Sequence, residues 1–478
     1  MSKLSRIGST ASCLGIVLLH PLTGLAATRT VANCSDAGAG SLRAAIAAAT
    51  HGDTIAFDMP AMNCSKITLT SGEIAVGADL LTIQGPGSNL LTISGGNSSR
   101  VLLGYFGAAA DLSKLTINDV TISNGFAAGA TTIQQIVGGC IASGGDVDLS
   151  RAVVKDCVAQ NSGQASGGAI WSNSLHLQHS TITGNQVFTS GTYSALGGGA
   201  FVRAELLVSF STISGNSAPG SHSNVGAGVG GGIAVFAQTP GNVRIEFSTI
   251  SGNTSDFGGG VYLYNQSGTR TITVDHSTVS DNQAVISGGG FHLYDRYANS
   301  GVVISDSTIS SNLAGLVAGV FNSGPSMLVR NSTIAFNSAQ DEVIGAGSQH
   351  FAAGLYTSDA TLQSTIIAKN VANTASDLSA MVGSPLLGAN NLIMAVVSGT
   401  TPPAGTLVAD PMLGLLADNG GPTFTRALLN GSPAIATGNN SARLSSDQRG
   451  PGFARSTNGK TDIGAFQTGD GIFFGGFD

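Results

Sequence analysis

Seven copies of one phrase run through the middle of this chain, and they constrain its fold more than any other feature. Each copy is Ser-Thr, an aliphatic residue, a short small or polar stretch and a closing Asn. STITGN ends at Asn185, STISGN at Asn216 and Asn253, STVSDN at Asn282, STISSN at Asn312, STIAFN at Asn337 and STIIAKN at Asn370. The opening serines (Ser180, Ser211, Ser248, Ser277, Ser307, Ser332 and Ser364) recur every 25 to 37 residues, the period of a solenoid. In register between them, small residues lead into strand-like runs at Gly198-Gly199 (AFV), Gly231-Gly232 (IAVF), Gly259-Gly260 (VYLY), Gly289-Gly290 (FHLY), Gly319 (VFN) and Gly354 (LYT). Each unit reads as glycine turn, alternating strand, variable loop, second strand ending in STI, and Asn turn. No unit carries a helical stripe. Strands repeated once per turn without crossover helices pair only with their equivalents in neighbouring turns. The expected fold is all-β, a single-stranded right-handed parallel β-helix.

Composition agrees with that stack. The 68 glycines among 478 residues supply the positive φ angles of tight corners, and a charged fraction of 10% suits a continuous aliphatic interior. The recurrent Asn is expected to form a hydrogen-bonded ladder between coils rather than to do chemistry. Because side chains alternate along a strand, the glycine-led runs place Ala200, Ile233, Val261, Phe291, Val320 and Leu355 inside. The opposite face collects Phe201, Tyr262, His292, Phe321 and Tyr356, with Phe236, Tyr264 and Tyr294 two places further on. An outward aromatic ladder is expected either to stack between rungs or to meet the apolar faces of sugar rings, with Arg203, Asn265, Asp295 and Arg296 at its rim.

The first residues read as an export signal: Lys3 and Arg6, then the apolar run CLGIVLL (Cys13 to Leu19), then small residues at Gly24-Leu25-Ala26-Ala27. A lipidation motif at Cys13 is excluded because the apolar run follows that cysteine. No later stretch is apolar for long enough to span a bilayer. Export leaves Cys34, Cys64, Cys140 and Cys157, for which Cys34 with Cys64 and Cys140 with Cys157 is the sequence-local one of three pairings. A metal site is disfavoured by the lack of a C-x-x-C pair. A net charge of −7 argues against nucleic acid or an anionic membrane as partner and leaves a cationic partner or an uncharged glycan; the expected partner is an extracellular glycan or a host or cell-surface protein.

The chain divides into a signal peptide (1–27), an N-terminal cap with the first coils (28–125), regular repeats (126–375), last coils with a C-terminal cap (376–467) and a tail (468–478). The cap is expected to contain a short helix starting at Ser41 and ending near Gly52, laid over the open end of the core. Both ends resemble known proteins. Through NCSDAGAGSLRAAI, GDTIAFD and LLTIQGPGSNLLTISG, residues Thr30 to Arg100 resemble bacterial polymorphic-outer-membrane-protein-like β-helix proteins. Through LGLLADNGGPTFTRALLNGSPAI, DQRGPGFAR and DIGAF, residues Leu413 to Gln467 resemble the choice-of-anchor Q domain. The resemblance implies a pectate-lyase-like solenoid, exported and associated with the bacterial surface. Ala436 and Gln467 stand where that domain commonly carries acids, which weakens any ionic contact there. The tail GIFFGGFD is similar to terminal tags on secreted proteins of some gammaproteobacteria and implies a sorting role.

These readings favour a non-catalytic role in adhesion, glycan binding or envelope architecture. The alternative is a polysaccharide lyase or glycoside hydrolase, which needs converging carboxylates or a calcium cluster with a basic residue. Its candidates are Asp275, His276, Asp281, Asp295 and Asp306, with Arg270, Arg296 and Arg330, and Asp275 and Asp306 are expected to be stacked neighbours. No cofactor is required, and calcium, although compatible with the alternative, is not indicated. His176 and His179 form an H-x-x-H, but in a strand that spacing points them to opposite faces.

Overall fold

The structure is a computed structural model that describes residues 26–104, 113–129, 135–190, 192–220, 226–238, 241–265, 268, 270–295, 300–324, 326–340, 351–372, 376–381 and 383–469. Nearly all of the expected signal segment, Arg296 and the tail from residue 470 lie outside the described residues. What remains is a right-handed parallel β-helix. One coil shows the plan: a glycine-led strand Val261–Asn265, a front strand Thr271–Asp275, an STI strand Thr278–Ser280 and a return strand Gln283–Ser287. Equivalent strands of successive coils pair in parallel and build sheets of 11, 13, 12 and 12 strands among the described residues.

The plan has four strands per coil where the sequence suggests two. The expected "second strand" breaks at the residue before the Ser-Thr in six of the seven copies, His179, Phe210, Phe247, His276, Asp306 and Asn331, and at Ser364 itself in the seventh; each adopts positive φ although none is glycine. Such a conformation costs a β-carbon-bearing residue roughly 1–2 kcal/mol, and the following serine holds it in place. Its hydroxyl donates across the corner to the carbonyl two residues back, as Ser248 does to Glu246 at 2.6 Å and Ser277 to Asp275 at 2.7 Å. The same oxygen accepts the backbone N–H of the serine one coil earlier, Ser211 to Ser248 at 3.1 Å and Ser248 to Ser277 at 3.2 Å. Ser therefore recurs because it straps a strained corner.

The Asn ladder forms as expected. Side-chain amides donate from Asn185 to Asn216, on through Asn253, Asn282, Asn312 and Asn337 to Asn370, at 2.8–3.0 Å, and the run ends on Asp377. At its start Cys157 takes the Asn position, its N–H bonding Asn185 at 3.0 Å, and is joined to Cys140. Cys34 joins Cys64, so the sequence-local pairing is the one found. Glycine is indispensable where the chain enters the glycine-led strand. At Gly197 (φ +69°) a β-carbon would fall 2.1 Å from the Ala200 carbonyl oxygen.

Ala200, Ile233, Val261, Phe291, Val320 and Leu355 are buried in the continuous interior, as the alternation predicts. The N-terminal helix spans Leu42–Ala47, capped by Ser41, whose hydroxyl accepts the Ala44 N–H at 3.2 Å. It ends earlier than Gly52 and inserts Leu42 and Ile46 into the solenoid core. At the other end the chain forms an antiparallel hairpin, Leu413–Ala417 with Thr425–Leu428, and residues up to Gln467 fold back along the outer face of the STI sheet. This C-terminal lobe docks through polar contacts, Thr278 to the Phe424 carbonyl, Thr308 to Gln448, Arg426 to Ser310 and Ser311, and Ala465 to Thr333, and through an apolar cluster in which its Leu428, Ala434 and Ile463 pack with Ile366, Ala368 and Leu392 of the last coils. No helix among the described residues is long and apolar enough to cross a membrane.

Candidate functional site

The front sheet turns alternate side chains outward, and its register decides which ones meet. Thr116, Asp148, His176, Leu207, Arg244 and Thr273 form one row across six coils; Asn118, Ser150, Gln178, Ser209, Glu246 and Asp275 form the next. At the early coils these rows line a groove of about 330 Å³. Within it His176 bridges two carboxylates on neighbouring coils, with Nδ1 3.0 Å from Asp148 and Nε2 3.2 Å from Glu205, while Lys114 closes on Asp148 from the other side. The hydrogen bond with Asp148 raises the His176 pKa against the opposing effect of burial, and Glu205 adds to the rise. Burial pushes the Asp148 carboxyl up, but bonds from His176 and Lys114 outweigh it and hold that pKa below its ordinary value.

A raised imidazole pKa fixes the sign of a pH effect. The protonated ring stabilises the fold, fully so below its unfolded value of about 6.5, and that stabilisation is lost as pH rises through the higher folded value. Thermal melts of His176→Gln should therefore fall below wild type at pH 6 and converge with it in alkali. A gap that widens with rising pH would contradict the assignment. The effect is modest, since the ring is 30% exposed and the charges are screened.

Beside the groove runs an aromatic shelf. The positive-φ corner residues stack coil on coil: His179 on Phe210 at 5.0 Å, Phe210 on Phe247 at 4.8 Å and 3° from parallel, and Phe247 on His276 at 4.5 Å. His179 is exposed, Phe210 is 44% exposed and Phe247 half-buried, whereas His276 lies beneath the C-terminal lobe, against Ser446 and Thr423. Because each shelf residue directly follows the front strand that supplies Gln178, Ser209 or Glu246, flat apolar rings border a row of hydrogen-bonding side chains. Sequence reasoning missed the shelf, although the aromatic residue before four of the Ser-Thr pairs was the signal that could have found it. The Asp148–His176–Glu205 cluster spans three coils and carries no local signal.

The aromatic ladder expected on the glycine-led strands exists, but most of it is not solvent-facing. Tyr262, His292, Phe321 and Tyr356 stack at 4.5–5.2 Å, yet Phe201, His292 and Tyr356 are only 5–8% exposed. The coil behind the glycine turn covers them: Leu196, Ala227, Val229 and Phe257 pack over Trp171, Phe201 and Tyr262, and Phe257 meets His292 edge-on. Burial lowers the His292 pKa to about 4 and raises that of Tyr262 to about 12. Phe236, Tyr264 and Tyr294 form an outer row, edge-on at 76° and then tilted at 36°, that stays half-buried.

The acidic candidates do not share one site. Asp275 faces out on the front sheet beside His276 Nδ1 at 3.0 Å. In register it pairs with Ser305, so Asp306 follows His276 in the corner column and is not the stacked neighbour of Asp275. Asp306 is fully buried against Arg455 of the lobe. Asp295 ends a glycine-led strand, buried, and accepts a bond from Asn265 at 2.8 Å. His176 and His179 part as expected, one into the groove and one onto the shelf. Among the described residues no group of three or more His, Cys, Asp or Glu is placed to hold a metal ion.

The two segments singled out by resemblance, Asp447-Gln448-Arg449-Gly450 and Asp462-Ile463-Gly464-Ala465-Phe466, meet at the heart of the lobe. Arg449 pairs with Asp447 at 2.6 Å between the rings of Phe453 and Phe466, and Gln448 binds Thr278 and Thr308 of the solenoid. Gln467 accepts the Asp462 N–H at 2.9 Å without a charge, and the N–H of Ala436 bonds Asp462 at 2.7 Å. The segments thus serve to dock the lobe.

No family model matches the chain, and no curated protein does. Among solved structures it matches one titled "Crystal structure of pectate lyase Pel9A", with 12% identity over 92% of this chain and 97% of that one, at a TM-score of 0.40.

Proposed function

We propose that the chain is an exported β-helix, displayed on or shed from the cell surface, that binds a neutral extracellular polysaccharide along the front groove without cleaving it. The observation that carries this reading is the His179–Phe210–Phe247 shelf, exposed at His179 and Phe210, half-buried at Phe247, and stacked directly beside the groove. Soluble surfaces rarely leave stacked aromatics uncovered, and sugar rings present matching C–H faces. Asn118, Ser150, Gln178 and Ser209 supply donors and acceptors for hydroxyls. Along the same face Asp146, Asp148, Glu205, Glu246 and Asp275 outnumber Lys114, Arg244 and Arg330, which favours an uncharged polymer over a polyuronate. Two disulfides suit an oxidising compartment.

A glycan array tests the reading. Wild type should be retained on neutral glycans, and Phe210→Ala/Phe247→Ala should bind at least tenfold more weakly, about 1.4 kcal/mol. An array profile unchanged by the double substitution would sink the groove assignment. A lyase or hydrolase is the second reading, favoured by the Asp148–His176–Glu205 cluster. Release of reducing ends or unsaturated products, abolished in His176→Gln, would promote it over binding alone.

A further inference from the structure

The C-terminal lobe carries a second concavity, an open basin of about 740 Å³. The charged residues lining it are Arg443 and Lys460, with no carboxylate among its described walls, in a chain of net charge −7. Neither cation has an ion-pair partner among the described residues.

Two tight loops present these cations. Around Arg443, which sits at φ +54°, the Asn440 side chain closes a ring by donating to the Leu444 carbonyl at 2.8 Å and accepting the Leu444 N–H at 2.8 Å. Lys460 closes a two-residue hairpin through reciprocal backbone bonds with Thr457 at 2.9 Å, with Asn458 and Gly459 both at positive φ. A chain of polar contacts ties the loops together: Asn440 to Ser456 at 3.4 Å and Ser456 to Thr461 at 2.7 Å. Asn439, which also lines the basin, brackets the solenoid's Ser364 with bonds of 2.7 and 2.9 Å. The backbones carrying both charges are therefore held before any ligand arrives, which reduces the ordering cost of binding.

We propose that this basin is an oxyanion site, taking the carboxylate of an acidic sugar or a phosphate or sulfate group between Arg443 and Lys460. Arginine's planar fork meets two oxygens at once and the lysine ammonium supplies a point charge. Ser441 and Thr461 line the same basin with hydroxyl groups. The site has the charge opposite to that of the front groove and does not depend on the groove reading.

The test titrates the full chain with inorganic phosphate, glucuronate and glucose at constant ionic strength, by calorimetry. Phosphate or glucuronate should bind saturably while glucose stays silent. Preference for glucuronate identifies a sugar acid, and preference for phosphate a free anion. Arg443→Gln/Lys460→Gln should weaken anion binding at least tenfold, Arg443→Lys should fall between the two, and Phe210→Ala/Phe247→Ala should bind anions like wild type. Both cations are exposed, so an unchanged melting temperature without anion is expected of the double variant. Saturable binding of no anion, equal binding of glucose and glucuronate, or equal anion affinity in the double variant would overturn the site.

Discussion

Arg455→Met should cost the protein about 3–5 kcal/mol, because it strips the partner from a buried charge. Arg455 and Asp306 are both fully buried, 3.4 Å apart, where the C-terminal lobe meets the corner column. Arg455 also donates to the carbonyls of Gly464 and Asp462 at 2.9 and 3.0 Å, so it joins the lobe's own fold to the solenoid. Burial pushes the Asp306 pKa up to about 6 even with Arg455 beside it. Without the guanidinium that value rises further, and the sign of the pH effect follows. A carboxyl whose folded pKa exceeds its unfolded value holds its proton more tightly in the fold, so stability is gained as pH falls through the folded value and lost as it rises. Urea melts of Arg455→Met should show the largest deficit at pH 8 and partial recovery near pH 5, and Asp306→Asn should restore much of the loss at pH 8. A deficit that grows in acid, or no rescue by Asp306→Asn, would show that the pair does not dock the lobe.

Asn253→Ala should cost about 3–5 kcal/mol, since two buried donors lose their partner at roughly 1–3 kcal/mol each. The Asn253 side-chain oxygen accepts both the backbone N–H of Asn216 at 3.0 Å and its amide at 2.9 Å, while the Asn253 amide donates to Asn282 and to the Ile213 carbonyl. All of these groups are buried, so water does not replace what is lost. The neighbouring Ser251, half-buried on the outer face of its strand, provides the control: Ser251→Ala should be nearly silent in the same denaturant melts. Equal losses for the two substitutions would mean that the ladder adds nothing beyond ordinary strand packing.

The repeat made the coil, the Asn ladder and the inner column legible, because each is a local pattern repeated at one period, while the cysteines were paired by sequence proximity. The corners escaped for a physical reason. Positive φ is normally announced by glycine, but here His179, Phe210, Phe247 and His276 adopt it under the serine strap, so front strand and STI strand read as one. Return strands such as Ser217–Ala218 are too short and too polar to show periodicity, and without them nothing indicated that the Tyr262–His292 column would be covered. Part of the lobe's docking runs through Thr278, Thr308, Thr333 and Ser310, whose hydroxyls leave no apolar stripe in the sequence. The groove cluster depends on register between Asp148, His176 and the strand after Glu205, which only the stacked coils define.

The central claim is that the corner shelf, rather than the ladder on the glycine-led strands, is where this protein meets a glycan. Affinity electrophoresis through a gel containing a neutral β-glucan separates the two directly. Retardation should be lost in Phe210→Ala/Phe247→Ala and kept in Tyr264→Ala/Tyr294→Ala, with both variants folded by circular dichroism. Retardation kept in the first variant and lost in the second would contradict the account and move the binding face to the other side of the coil.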